Sequence, residues 1–474
     1  FDAQFSDTPF HQRHPVSKNA KSLVEIRAAV IVTLNRYLLD IMSLIVPCTQ
    51  EDEATLLGYY IYRIRSFVFM QLKESLSGVL CEQSSSVHAL VTVRMARINP
   101  NESKIASWAY MQFCRQMMFQ SCRSFLRDDQ AWQVVFVGEG SSDSGGPFRD
   151  SLTEMVCEMM RTDSPIFCDT PNARSGVGDF RSEKIPRSSL FDSVCMRMMG
   201  RLLGVCLRTR MHCSFDFPPF IWKFLTHQPI KQRDLRSIDF VQNAFIAQLR
   251  GENPSDGPMN EGEFNAVYGS FPFQATLLDG QYANMDGTTD RMLTFENRLD
   301  YADAYEAIRD RELFPHLAEL MLGLQEVVPS SILALYTWRE LRLRICGYPE
   351  VDLEALRLHT VYNDISPTSD IIRWFWATLE GFSASDRERF VRFVWGRSRL
   401  PISGADFTKM LEISTFVPES GQPNEYLPLA QTCFFSLELP KYSSQAILEE
   451  RLLYAIHHCT AIDMDFIPNE DETL

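Results

Sequence analysis

A chain of 474 residues that is 45% hydrophobic and 12% aromatic can build a large core and has room for two or three domains. Its formal net charge of -15 repels a phosphate backbone, and no Lys/Arg run makes a basic face, so nucleic acid is excluded as a partner and proteins are favoured. The 23% of charged residues excludes wholesale disorder, and twelve cysteines without a CxxC pair read as reduced, buried thiols of the cytosol or nucleus, with a cytoplasmic location expected.

The chain opens on Phe1 rather than Met, so it is expected to be a piece of a longer protein; no signal peptide is visible. Residues 20–80 predict two long helices, broken at Pro47-Cys48-Thr49-Gln50. The most apolar stretch, residues 28–46, contains Asn35, Arg36 and Asp40, which argues against a membrane span. Leu34, Leu38, Ile41, Met42 and Ile45 recur there at helical spacing and predict a buried amphipathic helix. The second helix carries Leu56, Tyr60, Ile64, Phe67 and Met70 on one side. Residues 82–86 are polar and serine-rich, a linker, and from Val87 the texture becomes mixed α/β.

Val134-Val135-Phe136-Val137 predicts a strand. The glycine loop after it fits neither phosphate pattern. Gly138-x-Gly140-x-x-Asp143 lacks the third glycine of a dinucleotide fingerprint, and no Gly-Lys-Ser/Thr follows. It reads as a turn, with Pro147 in the first turn of the next helix. Residues 195–207 predict an apolar helix in which Gly200 and Gly204 allow close packing, and residues 251–269 a loop. Residues 360–367, ending in Ser366-Pro367, mark a boundary. Beyond it, residues 371–379 carry Trp374 and Trp376. Ser385-Asp386-Arg387-Glu388 predicts a capping box for a helix through Phe390, Phe393 and Val394 that Gly396 stops. Ser443-Ser444 caps a final helix with the stripe Leu448, Leu452, Ala455, Ile456 and Cys459.

Metal chemistry has little support: His212-Cys213 and His457-His458-Cys459 supply ligand types without the paired spacing of a closed zinc site, so no metal and no cofactor are expected. Cys433 stands apart from the helical cysteines, in a short segment bounded by Pro428 and Pro440, with the hydroxyl of Thr432 beside it. Three readings stay open for it. A free cysteine is most often a small buried hydrophobe. A protease nucleophile needs a histidine, and His457 and His458 are the nearest in sequence, but no papain-like or caspase-like surroundings accompany Cys433. The third is a thiol that accepts an acyl group from another thioester. That needs no strong base, because a thiol of pKa about 8.5 is a few per cent thiolate at neutral pH.

The segment Leu427-Pro428-Leu429-Ala430-Gln431-Thr432-Cys433-Phe434, followed by Leu437-Glu438-Leu439-Pro440-Lys441-Tyr442-Ser443-Ser444, resembles the active-site region of HECT-type ubiquitin ligases. Further matches come in the family's order. They are Phe136-Val137-Gly138-Glu139 with Asp143-Ser144-Gly145-Gly146 and Arg149, Gly200-Arg201-Leu202-Leu203-Gly204, and His227-Gln228-Pro229-Ile230. Thr294-Phe295-Glu296-Asn297-Arg298 with Tyr301, Ile345-Cys346-Gly347, and Phe393-Val394-Trp395-Gly396 through Arg399-Leu400-Pro401 complete the set. In register over residues 88–474, and with Trp338-Arg339-Glu340-Leu341, the chain is most similar in appearance to the giant HERC-type ligases. Two positions depart from the pattern: Gln431 stands where many members have His, and Phe435 where many have Asn.

The resemblance implies an α+β, bilobal domain. A helical extension over residues 1–87 would precede a larger, mostly helical N-lobe over 88–359 with a small subdomain for the conjugating enzyme. A hinge over 360–366 would lead to a smaller α/β C-lobe over 367–474. It implies a ubiquitin-protein ligase that takes ubiquitin from a conjugating enzyme as a thioester on Cys433 and passes it to lysines of protein substrates. Thr432 would position the thioester, and Tyr301, Val241 and Phe245 would contact the conjugating enzyme. Asp463, Asp465 or the tail Glu470-Asp471-Glu472 would attract and deprotonate the lysine, against the plainer reading of a solvated acidic tail. The family's terminal phenylalanine has Phe466 as its best candidate, followed here by eight more residues. The rival implied by Gln431 and the extended tail is a protein-binding module that keeps the fold without the transfer.

Overall fold

The structure, a computed structural model, describes residues 18–51, 56–86, 89–96, 108–138, 146–175, 183–188, 192–252, 260–285, 291–348, 350–396, 399–401, 407, 409–418, 421–432 and 434–458. Its architecture is α+β: helices dominate, and among the described residues ten short strands form one four-stranded sheet and three two-stranded ladders, two of which pair β3 (Phe167–Asp169) with β4 (Lys184–Pro186) and β5 (Gln274–Thr276) with β6 (Tyr282–Asn284). Apolar side chains gather into four clusters, which organise the chain.

The first cluster binds the N-terminal helices. The helix Lys18–Ile41 turns its Leu38 inward, with Met42 and Ile45 just beyond, while Ile41 is exposed. The second expected helix is two, Leu56–Ile64 and Met70–Gln83, separated by a 3-10 turn Arg65–Phe67. Asn35 causes the break. Its side-chain amide donates to Phe67 O at 2.8 Å and its oxygen accepts from Phe69 N at 2.7 Å, satisfying backbone groups that a continuous helix would have paired. The break rotates the helix face, so Leu56, Tyr60 and Phe67 point outward and Ile61, Leu72 and Leu76 fill the cluster instead. Leu335 from the middle of the chain joins them, and the buried Lys73 ammonium sits 2.7 Å from Glu340.

The largest cluster is built on two helices, Ser193–Thr209 and the 30-residue Arg298–Val327. Their backbones touch. A side-chain carbon on Gly200 would fall 2.1 Å from Leu320 O, and one on Gly323 would fall 1.9 Å from Arg197 O, so only glycine fits either crossing point. β1 (Val91–Met95) and β2 (Trp132–Phe136) pair in parallel beside them. At β2, Phe113 packs edge to face on Phe125, Phe125 on Trp132 and Trp132 on Phe148. The expected helix after the glycine loop is Gly146–Met159, with Pro147 in its first turn.

The long helix leaves this cluster at Leu313 and enters a smaller one at Ile308, where Ile246, Phe264, Phe273, Tyr301 and Tyr305 meet. Between the two, Arg309 bridges Asp239 at 3.0 Å and the adjacent Glu312. Residues 260–269, expected as loop, form the helix Glu261–Tyr268. Asn260 and Glu263 cap it reciprocally, a polar start signal hidden among loop-forming residues.

The last cluster surrounds the sheet β7–β8–β10–β9, made of Thr360–Tyr362, Leu411–Phe416, Ser436–Pro440 and Leu429–Gln431. β7, β8 and β10 run in parallel and β9 is the antiparallel edge. The helices Asp370–Gly381, Ala384–Trp395 and Gln445–His458 contribute to the same core. One expectation is corrected here. The cap of Ala384–Trp395 is Ser383, whose hydroxyl accepts from Asp386 N at 3.1 Å, two residues before the expected box. Within residues 360–366, expected as a hinge, Thr360–Tyr362 form a sheet strand in which β-branched Thr360 and Val361 pair with β8; Val351 and Leu356 upstream are buried in this cluster. The chain therefore passes between the two larger clusters near residues 347–350, where Gly347 ends the helix Trp338–Cys346 with φ of 71°.

Candidate active site

Cys433 itself lies outside the described residues, as do Asp463, Asp465, Phe466 and the acidic tail. The residues on either side of Cys433 are described. β9 runs into them and β10 leaves them, an antiparallel pair with Gln431 opposite Ser436. Gln431 O accepts from Phe434 N at 3.0 Å across the turn. Gln431 faces solvent, and the Phe434 ring is 62% exposed with the Lys409 ammonium 5.6 Å from its centre. Gln431, Thr432 and Phe434 thus lie at the edge of the sheet between β9 and β10, rather than in the interior of a core helix.

Two side chains of the turn point inward. Thr432 is buried, and its hydroxyl has no hydrogen-bond partner among the described residues. The group packed near it is Gly396, which ends Ala384–Trp395 in the left-handed conformation; a carbon on Gly396 would lie 3.8 Å from Thr432 Cβ. Phe435 is fully buried. Its ring lies flat on Trp395, centroids 4.1 Å apart, and Trp395 continues the column through Phe407 to His359.

The base of the turn also meets the larger cluster. Thr153, on Gly146–Met159, donates to Gly396 O at 3.1 Å. Arg399 reaches Ser214 Oγ and Tyr348 O, each at 3.0 Å, and pairs with Glu388 at 3.1 Å. The Glu388 carboxyl is pushed above the ordinary range by burial, and Arg399 opposes that shift.

Of the two histidines considered for a thiol base, His457 is engaged elsewhere, and the side chain of His458 lies outside the described residues. His457 Nε2 lies 2.8 Å from Asp386 Oδ1, and Arg389 faces its other ring nitrogen. Asp386 opens the helix that Trp395 closes, so this pair sits about 14 Å from the turn at 1.5 Å per residue. The Ser383 hydroxyl and then His457 hold the Asp386 carboxyl below its usual range. His359 Nδ1 is 2.8 Å from Ala355 O. Among the described residues no group of three or more metal-ligating side chains forms, and no helix is long and apolar enough to cross a membrane.

A second surface lies on the small cluster. Val241 is 56% exposed, with Phe240, Val267 and Phe271 also facing solvent, and Phe245 stacks among Tyr268, Phe271 and Tyr301. Tyr301 is only 5% exposed. Its hydroxyl donates to Gln274 O at 2.8 Å, burial pushes its pKa up to about 12, and its ring lies beneath this patch. Sequence reasoning named Val241 and Phe245 but missed Phe271, Trp395, Gly396, Thr153 and Lys409. For Gly396 the helix-stop reading was on hand; its contact with Thr432 was not. The others depend on non-local packing.

The family model described as HECT-domain (ubiquitin-transferase) matches residues 153–465. The chain is 34% identical over 358 residues to the E3 ubiquitin-protein ligase HERC2 of Homo sapiens, which covers 75% of this chain and 7% of that protein. It is 27% identical over 334 residues to the E3 ubiquitin-protein ligase HUWE1 of Mus musculus, covering 69% of this chain and 7% of that protein. It is 25% identical over 364 residues to the probable E3 ubiquitin-protein ligase HECTD4 of Homo sapiens, covering 69% and 9%. The chain thus spans less than a tenth of the length of these relatives.

Proposed function

Because the chain belongs to the HECT-domain (ubiquitin-transferase) family, we propose that it is a ubiquitin ligase that carries ubiquitin on Cys433 between a conjugating enzyme and a substrate lysine. The observation that carries this reading is the family match across residues 153–465, a range that includes Cys433. The Cys433 thiolate attacks the carbonyl of the thioester on the conjugating enzyme, whose cysteine leaves as a thiolate. A lysine amine then attacks the new thioester, Cys433 leaves, and an isopeptide bond remains.

Magnitudes place the harder demand on the second step. Freeing a thiolate from a thiol of pKa about 8.5 costs about 2 kcal/mol at neutral pH, against about 4–5 kcal/mol for the amine of a lysine of pKa about 10.4. Gln431 puts no imidazole beside the thiol, which is consistent with a site that relies on placement there. Asp463 and Asp465 remain the proposed attractors of the lysine. If Asp463→Asn with Asp465→Asn discharges ubiquitin to free lysine at the normal rate, that role is lost.

The proposed division of labour follows the clusters. The patch of exposed Val241 and Phe271 with half-buried Phe245 would receive the conjugating enzyme, with Tyr301 beneath it. The C-lobe would begin near residue 350, and residues 347–350 would act as the hinge. Thr432, with its buried hydroxyl, would hold the thioester carbonyl.

The test is incubation with activating enzyme, conjugating enzyme, ubiquitin and ATP. A ubiquitin adduct removed by thiol reductant is expected, and Cys433→Ala should abolish it. No adduct on the wild type would leave a binding module, and an adduct that persists in Cys433→Ala would move the acceptor to another cysteine.

A further inference from the structure

Position 435 holds an unfavourable backbone. Its φ is +56°, in the left-handed region where Cβ crowds the following carbonyl and glycine or asparagine is the usual occupant. Phenylalanine has no local way to relieve this, so the surroundings must hold it. Two contacts do so. The Phe435 carbonyl accepts from Glu412 N at 3.0 Å, tying it to β8. The ring is wholly buried and lies on Trp395 with planes 8° apart.

Trp395 is a firm support. It is the last residue of Ala384–Trp395, buried, and stacked also with Phe407 at 5.9 Å. The next residue, Gly396, lies beside Thr432, where a carbon added to it would stand 3.8 Å from Thr432 Cβ, and its carbonyl accepts the hydrogen bond from Thr153. Both ends of the turn, Thr432 on entry and Phe435 on exit, therefore rest on the same helix terminus. A residue held in a costly conformation by aromatic stacking, two positions after the thiol, carries more than core packing requires. A core needs apolar volume there, which many backbones could supply; the turn needs one backbone.

Resting on the reading of Cys433 as the ubiquitin acceptor, we propose that Phe435 is a positioning residue for transfer. Its ring, clamped on Trp395, holds the left-handed exit of the 431–434 turn and so fixes where the acceptor segment meets the incoming thioester.

The experiment uses the full chain and measures single-turnover discharge of ubiquitin-loaded conjugating enzyme over a range of its concentration. Phe435→Leu keeps apolar bulk and loses the planar stack. Its kcat is expected to fall about tenfold or more, with KM unchanged, because the proposed docking patch around Phe271 is untouched. Phe435→Tyr keeps the ring and should recover to within about twofold of wild type. Phe435→Asn separates ring from backbone, since asparagine tolerates the left-handed region unaided; it should be slow despite that ease. Should Phe435→Leu lack a cooperative melt, Phe435→Met fills the space without a ring and takes its place. Wild-type kcat in the Leu, Met or Asn variant overturns the proposal, as does an equal loss in Phe435→Tyr. A wild type that forms no thiol-sensitive adduct overturns the acceptor reading instead, so the two failures are distinct.

Discussion

Thr432 carries a buried hydroxyl with no partner among the described residues, packed against Gly396. An unpaired buried hydroxyl costs about 1–3 kcal/mol, whereas an apolar group of the same shape in its place is nearly neutral or stabilising. Thr432→Val makes that replacement. Its melting temperature is expected to equal or exceed that of wild type. If the hydroxyl holds the thioester carbonyl, thioester formation should nonetheless slow about tenfold, the loss of one such hydrogen bond. Thermal denaturation and gel-resolved adduct formation on the same preparation separate the two effects; a Val variant that loads at full rate would end the role. The sequence placed the hydroxyl beside the thiol but could not show its burial, which a distant helix terminus imposes. Phe435 was likewise visible as a departure from the HECT pattern. What the departure meant depended on φ at that position and on Trp395 beneath it, and neither follows from neighbours in the chain.

Among the elements, the crossing of Ser193–Thr209 with Arg298–Val327 fixes the frame on which everything else sits. Gly200 was legible as a packing glycine because it sits in an apolar helix with Gly204 one turn on. Its partner was not, since Leu320 is more than a hundred residues away. Replacing glycine by alanine in a helix gains about 1 kcal/mol in the absence of crowding. At Gly200 a methyl would sit 2.1 Å from Leu320 O, and forcing helices apart costs about 1–3 kcal/mol or more. Gly78, on the exposed face of Met70–Gln83, has nothing within 4 Å of the same added carbon. The two substitutions should therefore differ in sign: Gly78→Ala stabilises by about 0.5–1 kcal/mol and Gly200→Ala destabilises by about 1–3 kcal/mol. Urea denaturation of the pair checks it, and a stable Gly200→Ala would mean that the helices are free to separate. The helix break at Arg65–Phe67, bonded by Asn35, and the helix Glu261–Tyr268 escaped the sequence for a related reason: in both, polar side chains redirect backbone hydrogen bonds without changing composition.

For the whole molecule the decisive question is where one mechanical unit ends and the next begins, because the proposed function has a carrier thiol move between donor and acceptor. In the sequence Ser366-Pro367 marks that boundary. In the structure Thr360–Tyr362 pair with β8, some fifty residues later, and non-local pairing leaves no mark on the local sequence. Val351 and Leu356 are buried on the C-terminal side, and each such side chain contributes about 1.5–3 kcal/mol. Together with the edge strand they amount to a large part of the roughly 5–15 kcal/mol that holds a domain. A segment of residues 350–474 is therefore expected to fold alone with a cooperative thermal transition, while residues 367–474 should melt at least about 10 °C lower or show no transition, given about 4–8 °C per kcal/mol at this size. Equal melting of the two would return the boundary to 367 and make Thr360–Tyr362 a detachable strap. The expected result places the pivot beside Gly347, whose neighbours His212 and Arg399 come from opposite sides of the junction, with Arg399 also bound to Ser214 and Tyr348. The carrier would then turn as one body, sheet, helices and thiol segment together, about a few residues that contribute to neither core.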